Sequence, residues 1–248
     1  MRTLILDFET FPLDAYMWSL WDKFVNIDGI KTPTTVACWA AKWYKKKEMM
    51  FSSVRDKNML DWIWSLLNEA DAVVHQNGKS FDIPMINTEF IRHGFLPPMP
   101  FKQIDLLETS KRVFRFPSNK LGYVSKDLKI GSKIETEGLP LWIKCMEGDE
   151  VAWGKMERYN KQDVRLTEEI YTEYLPWIST HPNTALYSED KDIKCTNCES
   201  KEVVLDGYAR TAVGVYHRYR CKGCGKPLRG RKNLRPSEKK QPLLVSLT

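Results

Sequence analysis

The sequence lacks any run of about 18 apolar residues, the length that a membrane-spanning helix requires. Its six cysteines in 248 residues are too few for a fold that depends on disulfide bonds. Near the N-terminus Asp7 follows only a short apolar run, where the core of a signal peptide would continue. Apolar residues make up 42% and charged residues 28% of the chain, which excludes a disordered chain. We therefore expect a cytoplasmic, globular protein that does not contact membranes.

Positive charge is concentrated in the C-terminal quarter. Residues 191–248 hold 14 basic and five acidic residues, a net charge of +9, whereas residues 1–190 hold 24 basic and 27 acidic residues, a net charge of −3. A basic appendage on a slightly acidic body favours a polyanionic partner, most often nucleic acid. A solvated tail that keeps the protein in solution is the alternative, and charge alone does not separate the two.

Hydrophobic patterning predicts a mixed α/β fold. Short apolar or alternating runs predict strands at residues 3–6, 36–44, 48–52, 72–75 and 103–107. Apolar residues at helical spacing predict helices at residues 58–70, 84–93, 121–128, 139–146 and 151–175. Because the first strands read as an antiparallel set and the later ones alternate with helices, we expect a mixed sheet with flanking helices.

The same patterns divide the chain into four parts. Residues 1–178 are predicted to form one α/β domain, which is long enough to bury a core of its own. Residues 179–193 are polar and rich in turn-forming residues, so we interpret them as a linker. Residues 194–230 form a separate small unit, and residues 231–248 are a basic tail.

Two carboxylates lie at the end of the first predicted strand. Asp7 and Glu9 are two residues apart, so their side chains point to the same face of the strand. Neighbouring carboxylates repel each other unless a cation lies between them, and Mg²⁺ takes carboxylate oxygens of this kind. A strand that runs out into an acidic loop is the alternative, because a lone Asp-x-Glu pair is common.

Two further acids lie beside predicted helices. Asp82 precedes the helix that begins at Pro84, where an acid serves either as a helix cap or in a functional site. Tyr159 and Asp163 are four residues apart and share one face of the long helix, on which Asp163 falls in an apolar stripe. An acid in such a stripe must be paired with a cationic side chain or bind a metal.

The order of these motifs resembles the DEDD superfamily of 3′–5′ exonucleases. The matching segments are D-F-E-T at residues 7–10, H-Q-N-G-K-S-F-D-I-P at residues 75–84 and Y-N-K-Q-D at residues 159–163. The tyrosine in the last motif is typical of the subgroup that includes the proofreading domains of DNA polymerases. The resemblance covers residues 1–178 and implies a ribonuclease-H-like fold.

The resemblance also implies a two-metal mechanism with Mg²⁺ or Mn²⁺. Asp7 would bridge both ions, Glu9 and Asp163 would complete the site of the ion that activates water, and Asp82 would hold the second ion through water. Tyr159 would orient the attacking water by its hydroxyl rather than deprotonate it, because a free tyrosine has a pKa near 10. Two ions together activate the nucleophile and stabilise the leaving oxygen of an in-line displacement.

Three residues beside the acids receive roles from the same resemblance. Asn77 is expected to hydrogen-bond near the terminal nucleotide, and Phe11 to stack on the terminal base. Phe81 is expected to pack in the core. The tryptophan-rich segment between Phe11 and Pro33 departs from the family pattern and receives no role.

Four cysteines occur as two pairs with metal-ligand spacing. Cys195 and Cys198 form one C-x2-C pair, and Cys221 and Cys224 form the other, with 22 residues between the pairs. This spacing predicts one structural Zn²⁺ held by four thiolates, in a unit that resembles a zinc ribbon. A redox dithiol or a pair of disulfides is the alternative, which a cytoplasmic chain disfavours.

The zinc ribbon and the tail carry the basic excess, with tyrosines interleaved. Cations next to aromatic rings suit single-stranded nucleic acid, which is bound by stacking and phosphate contacts. The expected nucleic-acid-binding residues of this part are Arg218, Arg220, Lys222, Lys226, Arg229 and Arg231. The alternatives are that the tyrosines only fill a small core and that the surface docks a protein.

These features predict a metal-dependent 3′–5′ exonuclease whose basic zinc ribbon helps to bind nucleic acid. Single-stranded DNA is the expected substrate, and a 3′–5′ exoribonuclease is the alternative. A nucleic-acid-binding module with an inactive nuclease fold is the competitor from another class, against which the four intact acids argue. Only about 70 residues follow the exonuclease-like part, so we expect any proofreading in trans. Expected partners are replication or recombination proteins in the cytoplasm of a bacterial or phage-infected cell.

Overall fold

The computed structural model describes residues 1–19, 21, 24–239 and 244. Its strands are β1 (Thr3–Phe11), β2 (Asp14–Ala15), β3 (Ile30–Thr32), β4 (Thr35–Trp43), β5 (Met50–Ser53), β6 (Ala72–His75), β7 (Lys102–Asp105), β8 (Val203–Thr211), β9 (Gly214–Cys221) and β10 (Pro227–Arg229). Its α-helices are α1 (Met59–Glu69), α2 (Asp82–Arg92), α3 (Leu106–Val113), α4 (Leu121–Asp127), α5 (Leu139–Met146) and α6 (Glu150–Tyr174).

A five-stranded mixed sheet forms the centre of the larger part of the chain. Its strand order is β5-β4-β1-β6-β7. Strand β1 pairs antiparallel with β4 and parallel with β6, while β4 pairs antiparallel with β5 and β6 pairs parallel with β7. Strand β1 lies in the middle because Leu4, Ile5 and Leu6 bury side chains on both faces of the sheet. The predicted mixed α/β sheet is confirmed.

Helices cover both faces of this sheet. On one face Leu6, Phe8 and Trp39 pack in a cluster with residues of α1 and α2. On the other face Cys38 packs in a second cluster with residues of α5 and α6, including Trp153. Because residues alternate between the faces of a strand, the face of β1 that carries Asp7 and Glu9 is the one that α6 covers.

A β-bulge interrupts the pairing of β1 with β4 next to the acids. Glu9 pairs with Cys38, whereas Thr10 pairs with Val36, so Ala37 is an extra residue without a partner on β1. Its carbonyl oxygen instead accepts a hydrogen bond from the N–H of Val54, at 2.9 Å. Bulges of this kind bend a strand and redirect its side chains.

The structure contains elements that the sequence analysis did not predict. The strand predicted at residues 103–107 ends at Asp105, and α3 follows it directly. Short strands β2 and β3 pair within the tryptophan-rich segment, and β10 adds a third strand to the C-terminal hairpin. The sequence analysis missed β2, β3 and β10 because they are short. It missed α3 because the N-cap of this helix, Asp105, lies within the strand predicted at residues 103–107.

The chain splits into two compact units, Arg2–Thr172 and Glu173–Thr248, the second of which also includes Met1. The division therefore falls near the end of α6 rather than after residue 178. The segment interpreted as a linker contains a short 3-10 helix, Thr184–Tyr187. Thr184 is buried, and its hydroxyl donates to the carbonyl oxygen of Cys195 at 3.0 Å, so this segment packs on the first cysteine pair.

The second unit contains a three-stranded antiparallel sheet in the order β10-β9-β8. Strands β8 and β9 form an antiparallel hairpin between the two cysteine pairs. Among the described residues, none of the helices combines the length and the apolar character that crossing a bilayer requires.

Asp105 holds together the loop before α2 and the start of α3. Its carboxylate accepts hydrogen bonds from the backbone N–H groups of Asn77 (3.1 Å) and Lys79 (3.2 Å). As the N-cap of α3, it also accepts from Leu107 (2.9 Å) and Glu108 (3.3 Å). One buried carboxylate therefore fixes two segments that are distant in sequence.

We expect Asp105→Ala to lower the free energy of unfolding by more than about 2 kcal/mol. The substitution removes the N-cap of α3 and leaves backbone N–H groups without a hydrogen-bond acceptor. Asp61→Ala is the matched control because Asp61 is exposed in the first turn of α1. Urea denaturation followed by circular dichroism measures both variants. Equal stability of the two variants would contradict the bridging role of Asp105.

Candidate active site and cysteine cluster

Three of the predicted acids converge at the end of β1. Asp7 and Glu9 lie on the same face of that strand, and Asp163 reaches them from α6. One carboxylate oxygen from each of the three lies within 4.8 Å of the others. Carboxylates this close repel each other strongly when all are ionised, so the arrangement calls for a cation.

Asn160 orients the carboxylate of Asp7. It is fully buried on α6, and its side-chain amide donates to Oδ2 of Asp7 at 2.7 Å and to the carbonyl oxygen of Asp7 at 3.3 Å. The sequence analysis missed this residue. The sequence offered one signal for Asn160. The residue lies one position after Tyr159 and three before Asp163, on the apolar face of the helix.

Asp82 lies apart from this group of three oxygens. It is buried in the first turn of α2, and its Oδ1 accepts a hydrogen bond from the backbone N–H of Phe8 at 3.1 Å. The helix cap position belongs to Phe81 rather than to Asp82. The carboxylate of Asp82 therefore faces β1, and its charge contributes to raising the pKa values of Asp7 and Glu9.

Lys133 brings a positive charge to the acids from the loop between α4 and α5. Its Nζ lies 2.5 Å from Oδ2 of Asp163 and donates to the hydroxyl oxygen of Tyr159 at 3.0 Å. The same ammonium group lies 4.9 Å from the centroid of the Tyr159 ring. Sequence reasoning missed Lys133, which no motif marks, although a cationic partner for Asp163 was one of the alternatives.

Burial raises the pKa values of all four carboxyl groups, and for Asp7 and Glu9 repulsion from the neighbouring acids raises them further. Burial, followed by the charge of Asp163, raises the pKa of Glu9 to about 8. Burial raises the pKa of Asp82 to about 6. The pKa values of Asp7 and Asp163 are also raised, first by burial, and for Asp7 then by the charge of Glu9.

Tyr159 is held as a neutral hydrogen-bonding group. Burial and the charge of Asp163 raise the pKa of its hydroxyl to about 12. Its ring contacts Trp142 edge-on, with centroids 6.0 Å apart. Lys133 keeps its own proton, because Asp163 and Tyr159 raise the pKa of its ammonium group although burial lowers it.

The donor set fits a divalent cation such as Mg²⁺ or Mn²⁺. Among the described residues, Oδ1 of Asp163 is buried without a hydrogen-bond partner. An unsatisfied carboxylate oxygen beside two further carboxylates is a hard-oxygen environment, which these ions prefer. Asp7, Glu9 and Asp163 would hold such an ion.

Asn77 lies in a strained loop beside a groove. Its φ of +69° is unusual for a residue other than glycine. The next residue, Gly78, has no room for a side chain, because a Cβ there would lie 2.3 Å from Cγ of His75. Asn77 and Lys133 both line the adjacent groove, which has a volume of about 750 Å³.

The two phenylalanines differ from each other in their surroundings. Phe11 ends β1 and packs edge-on against Trp153, with ring centroids 6.1 Å apart. Phe81 is 43% exposed, so the expectation that it packs in the core is wrong. It precedes the first turn of α2, where the side chain points away from the sheet and its neighbour Asp82 points inward.

The four paired cysteines come together in the C-terminal unit. One sulfur from each of Cys195, Cys198, Cys221 and Cys224 lies within 4.8 Å of the others. Two of the Sγ–Sγ distances are 3.6 Å (Cys195 to Cys224) and 3.5 Å (Cys198 to Cys221). Four thiolates around a tetrahedral Zn²⁺, with Zn–S bonds of about 2.3 Å, lie about 3.8 Å apart, so the cluster fits this ion.

One thiol of the cluster is prepared to ionise. Burial raises the pKa of the Cys221 thiol, but hydrogen bonds outweigh this effect and lower it to about 7. The donors are the backbone N–H groups of Cys224 and Gly223 and the other thiols of the cluster. Cys38 and Cys145, in contrast, are buried apart from the cluster, and burial raises the pKa of each.

The basic residues predicted to bind nucleic acid divide into engaged and free groups. Arg218 and Arg220 both bind Asp206, at 3.5 Å and 3.2 Å. Lys226 donates to the carbonyl oxygen of Ile178 at 2.9 Å. Arg229 lies over the ring of Tyr216, with the guanidinium carbon 4.3 Å from the centroid. Lys222 and Arg231 are exposed.

We expect the stability of the protein without added Mg²⁺ to fall as the pH rises from about 4 to about 8. The pKa values of the clustered carboxyl groups are raised in the folded state, so their stabilising contribution is complete below the unfolded values and is lost through the folded ones. Differential scanning fluorimetry between pH 5 and pH 9 measures this loss. Added Mg²⁺ should restore more stability at pH 8 than at pH 5.

Glu9→Gln should weaken this pH dependence, because it removes a group with a pKa of about 8. Glu135→Gln is the control, since Glu135 is exposed in the loop before α5. A pH profile that is the same in both variants would contradict the electrostatic account of the site.

We expect the purified protein to contain one Zn²⁺ per chain and Cys221→Ser to lose it. Loss of the ion should unfold the C-terminal unit at a lower temperature, because zinc binding in such small sites contributes directly to folding. Plasma emission spectrometry gives the metal content and calorimetry the transitions. Cys145→Ser is the control, and a metal content unchanged by Cys221→Ser would rule out the four-thiolate site.

Comparisons with known proteins agree with the fold. The model of the RNase_H superfamily matches residues 4–175. A family B DNA polymerase from the hyperthermophilic archaeon Pyrobaculum calidifontis has a similar structure, with a TM-score of 0.55 and 16% sequence identity. The similarity covers 71% of this chain and 25% of that chain, so the match spans about a quarter of the polymerase and concerns the fold.

No curated protein matches the sequence. The family model, in contrast, covers the whole central sheet and α6, with the three clustered acids included. The chain belongs to the RNase_H superfamily.

Proposed function

We propose that this protein is a metal-dependent 3′–5′ exonuclease that hydrolyses phosphodiester bonds of single-stranded DNA. The observation that carries the proposal is the convergence of Asp7, Glu9 and Asp163, with an unsatisfied Asp163 oxygen and the Tyr159 hydroxyl beside them. The order of the motifs supports the 3′–5′ direction through the resemblance to the DEDD exonucleases. The superfamily and the polymerase-like fold support a nuclease.

The carboxylates would bind the metal ions on which this chemistry depends. Asp7, Glu9 and Asp163 would offer their oxygens directly, and Asp82 would act through water. Bound divalent ions would supply an activated water and stabilise the leaving oxyanion. Asn160 keeps Asp7 in position, because its amide spans the side chain and the backbone of the same residue.

Tyr159 acts by orientation. With a pKa of about 12 its hydroxyl stays protonated at neutral pH, so it donates or accepts a hydrogen bond but does not serve as a base. Lys133 donates to the hydroxyl oxygen and leaves the Tyr159 proton for another acceptor, such as Asp163 or a water. Lys133 is therefore a positioning residue in this proposal.

The groove beside Asn77 suits the strand that ends in the active site. Lys111, Lys120 and Lys133 line it together with the side-chain amides of Gln76 and Asn119. Lys111 and Lys120, next to these amides, would supply phosphate contacts without demanding a particular base, while Lys133 is held by Asp163 and Tyr159. In this proposal the zinc ribbon holds a more distant part of the strand. Replication or recombination proteins in the cytoplasm are the expected partners.

A digestion experiment tests the activity. Single-stranded DNA, duplex DNA and RNA of equal sequence, each labelled at the 5′ end, are incubated with Mg²⁺, Mn²⁺ or no added ion. We expect a ladder that shortens from the 3′ end of single-stranded DNA. Asp7→Ala should reduce the rate by more than about 100-fold, because it removes one of the carboxylates that would hold the metal ions. Each factor of ten in rate corresponds to about 1.4 kcal/mol of transition-state stabilisation.

Two further variants serve as comparison and control in this experiment. Tyr159→Phe should be milder than Asp7→Ala, because the ring remains in place. Asp127→Ala should leave the rate unchanged, because Asp127 is exposed at the end of α4. Faster digestion of RNA would favour the exoribonuclease alternative. If the protein binds all of these substrates but cleaves none of them, the proposed exonuclease is wrong and the protein is a nucleic-acid-binding module.

A further inference from the structure

The sheet of the C-terminal unit has two chemically different faces. Alternate residues of β9 point to opposite sides. Arg218 and Arg220 lie on one side, where Asp206 neutralises them. His217 and Tyr219 lie on the other side, and Leu228 of β10 pairs with Tyr219. The face of His217 and Tyr219 therefore carries aromatic and apolar side chains.

A pocket of about 350 Å³ opens on this second face. Its apolar lining includes Val203 and Leu228, with the rings of His217 and Tyr219 beside them. Its cationic lining consists of Lys194, Arg229, Arg231 and Lys232. A small concave site with aromatic walls and a few charged groups has the composition of ligand pockets, whose volumes are about 300–1,000 Å³.

Several groups at this pocket lack partners. Among the described residues, Nδ1 of His217 is buried without a hydrogen-bond partner. No acid in the described part of the chain pairs with Arg231 or Lys232, whereas Lys194, which also lines the pocket, binds Asp190 at 2.5 Å. The pocket therefore offers the two positive charges of Arg231 and Lys232 to a ligand.

The rings form a row across the hairpin. Tyr208 of β8 stacks on His217, with centroids 5.7 Å apart and an angle of 28° between the rings. The ring of Tyr219 lies 6.3 Å from that of His217 and is tilted by 59°. Tyr208 is half-exposed, so one end of the row is open to solvent. Accessible aromatic rings of this kind stack on unpaired bases.

We infer that this pocket binds an unpaired nucleobase of a single strand, with its phosphate held by Arg231 and Lys232. The inference deepens the role proposed above for the zinc ribbon and rests on it. The base stacks beside Tyr219, while the backbone follows Arg231 and Lys232. Arg218, Arg220 and Lys226 are engaged elsewhere and belong to the framework of the unit.

Fluorescence anisotropy of the zinc-loaded, full-length protein tests the pocket. All proteins carry Asp7→Ala, so cleavage does not interfere, and the ligands are labelled oligothymidylate, an abasic strand of equal length and the corresponding RNA. Tyr219→Leu should weaken binding of oligothymidylate about ten-fold and leave binding of the abasic strand unchanged. Equal losses for both strands would overturn the base-stacking part of the inference.

The double variant Arg231→Ala/Lys232→Ala tests the phosphate contacts without touching the core. It should reduce the slope of log affinity against log salt by about 1.4, because each contact to a single strand contributes about 0.7. Lys191→Ala/Arg210→Ala removes the same charge from exposed positions outside the pocket and serves as control. The same change of slope in both double variants would overturn a localised site.

Two measurements separate this inference from the proposed exonuclease. Photo-crosslinking of a 5-iodouracil oligonucleotide should label peptides that contain His217 or Tyr219, and labelling confined to the first 172 residues would overturn the pocket. Hydrolysis of a p-nitrophenyl ester of thymidine monophosphate, measured with Asp7 intact, should be equal with and without the pocket substitutions. If the expected crosslinks form but this hydrolysis is not detected, the proposed exonuclease activity is refuted and the nucleobase pocket is not.

Discussion

Repulsion among closely spaced negative charges, two of them buried and two partly buried, is the constraint around which the N-terminal unit is built. Asp7, Glu9 and Asp163 bring carboxylate oxygens within 4.8 Å, and Asp82 adds a fourth charge nearby. A folded protein tolerates such a cluster only if protons, cationic side chains or metal ions neutralise it. The raised pKa values, the ammonium group of Lys133 and the unsatisfied oxygen of Asp163 all reflect the same imbalance.

The scaffold keeps this unfavourable cluster in place because each member belongs to a rigid element. Strand β1 is the middle strand of the sheet, and α6 packs against the sheet through an apolar cluster that includes Cys38 of β4 and Phe11 of β1. Asn160 ties the two elements together at Asp7, while the N–H of Phe8 holds Asp82. The stability of the rest of the fold thus offsets the cost of assembling the acids.

Sequence reasoning found what depends on local pattern. Asp7 and Glu9 follow from the period of a strand, and Tyr159 and Asp163 from the period of a helix, so their faces could be predicted. Lys133 could not be found, because it arrives from an irregular loop whose path is set by tertiary packing. Asn160 looks like an ordinary polar residue until α6 is placed against β1.

The basic C-terminal unit shows the same limit in another form. Composition indicated a cationic surface, but it could not separate Arg218 and Arg220, which bind Asp206, from Arg231, which has no acidic partner among the described residues. Strand pairing decides which side chains share a face. Similarly, α3 escaped prediction because its cap, Asp105, reads in sequence as the end of a strand.

The bulge at Ala37 has a consequence for the evolution of the chain. Because Ala37 is the extra residue, its loss would leave Glu9 paired with Cys38 and Thr10 paired with Val36, and would only remove the bulge. Insertion or deletion of one residue elsewhere in β4 would instead exchange the faces of the side chains on one side of the change, because side chains alternate along a strand. An insertion between Cys38 and Trp39, for example, would move Trp39 out of its apolar cluster. Within β4, a change in length should therefore be tolerated at Ala37 and excluded from the regular part of the strand.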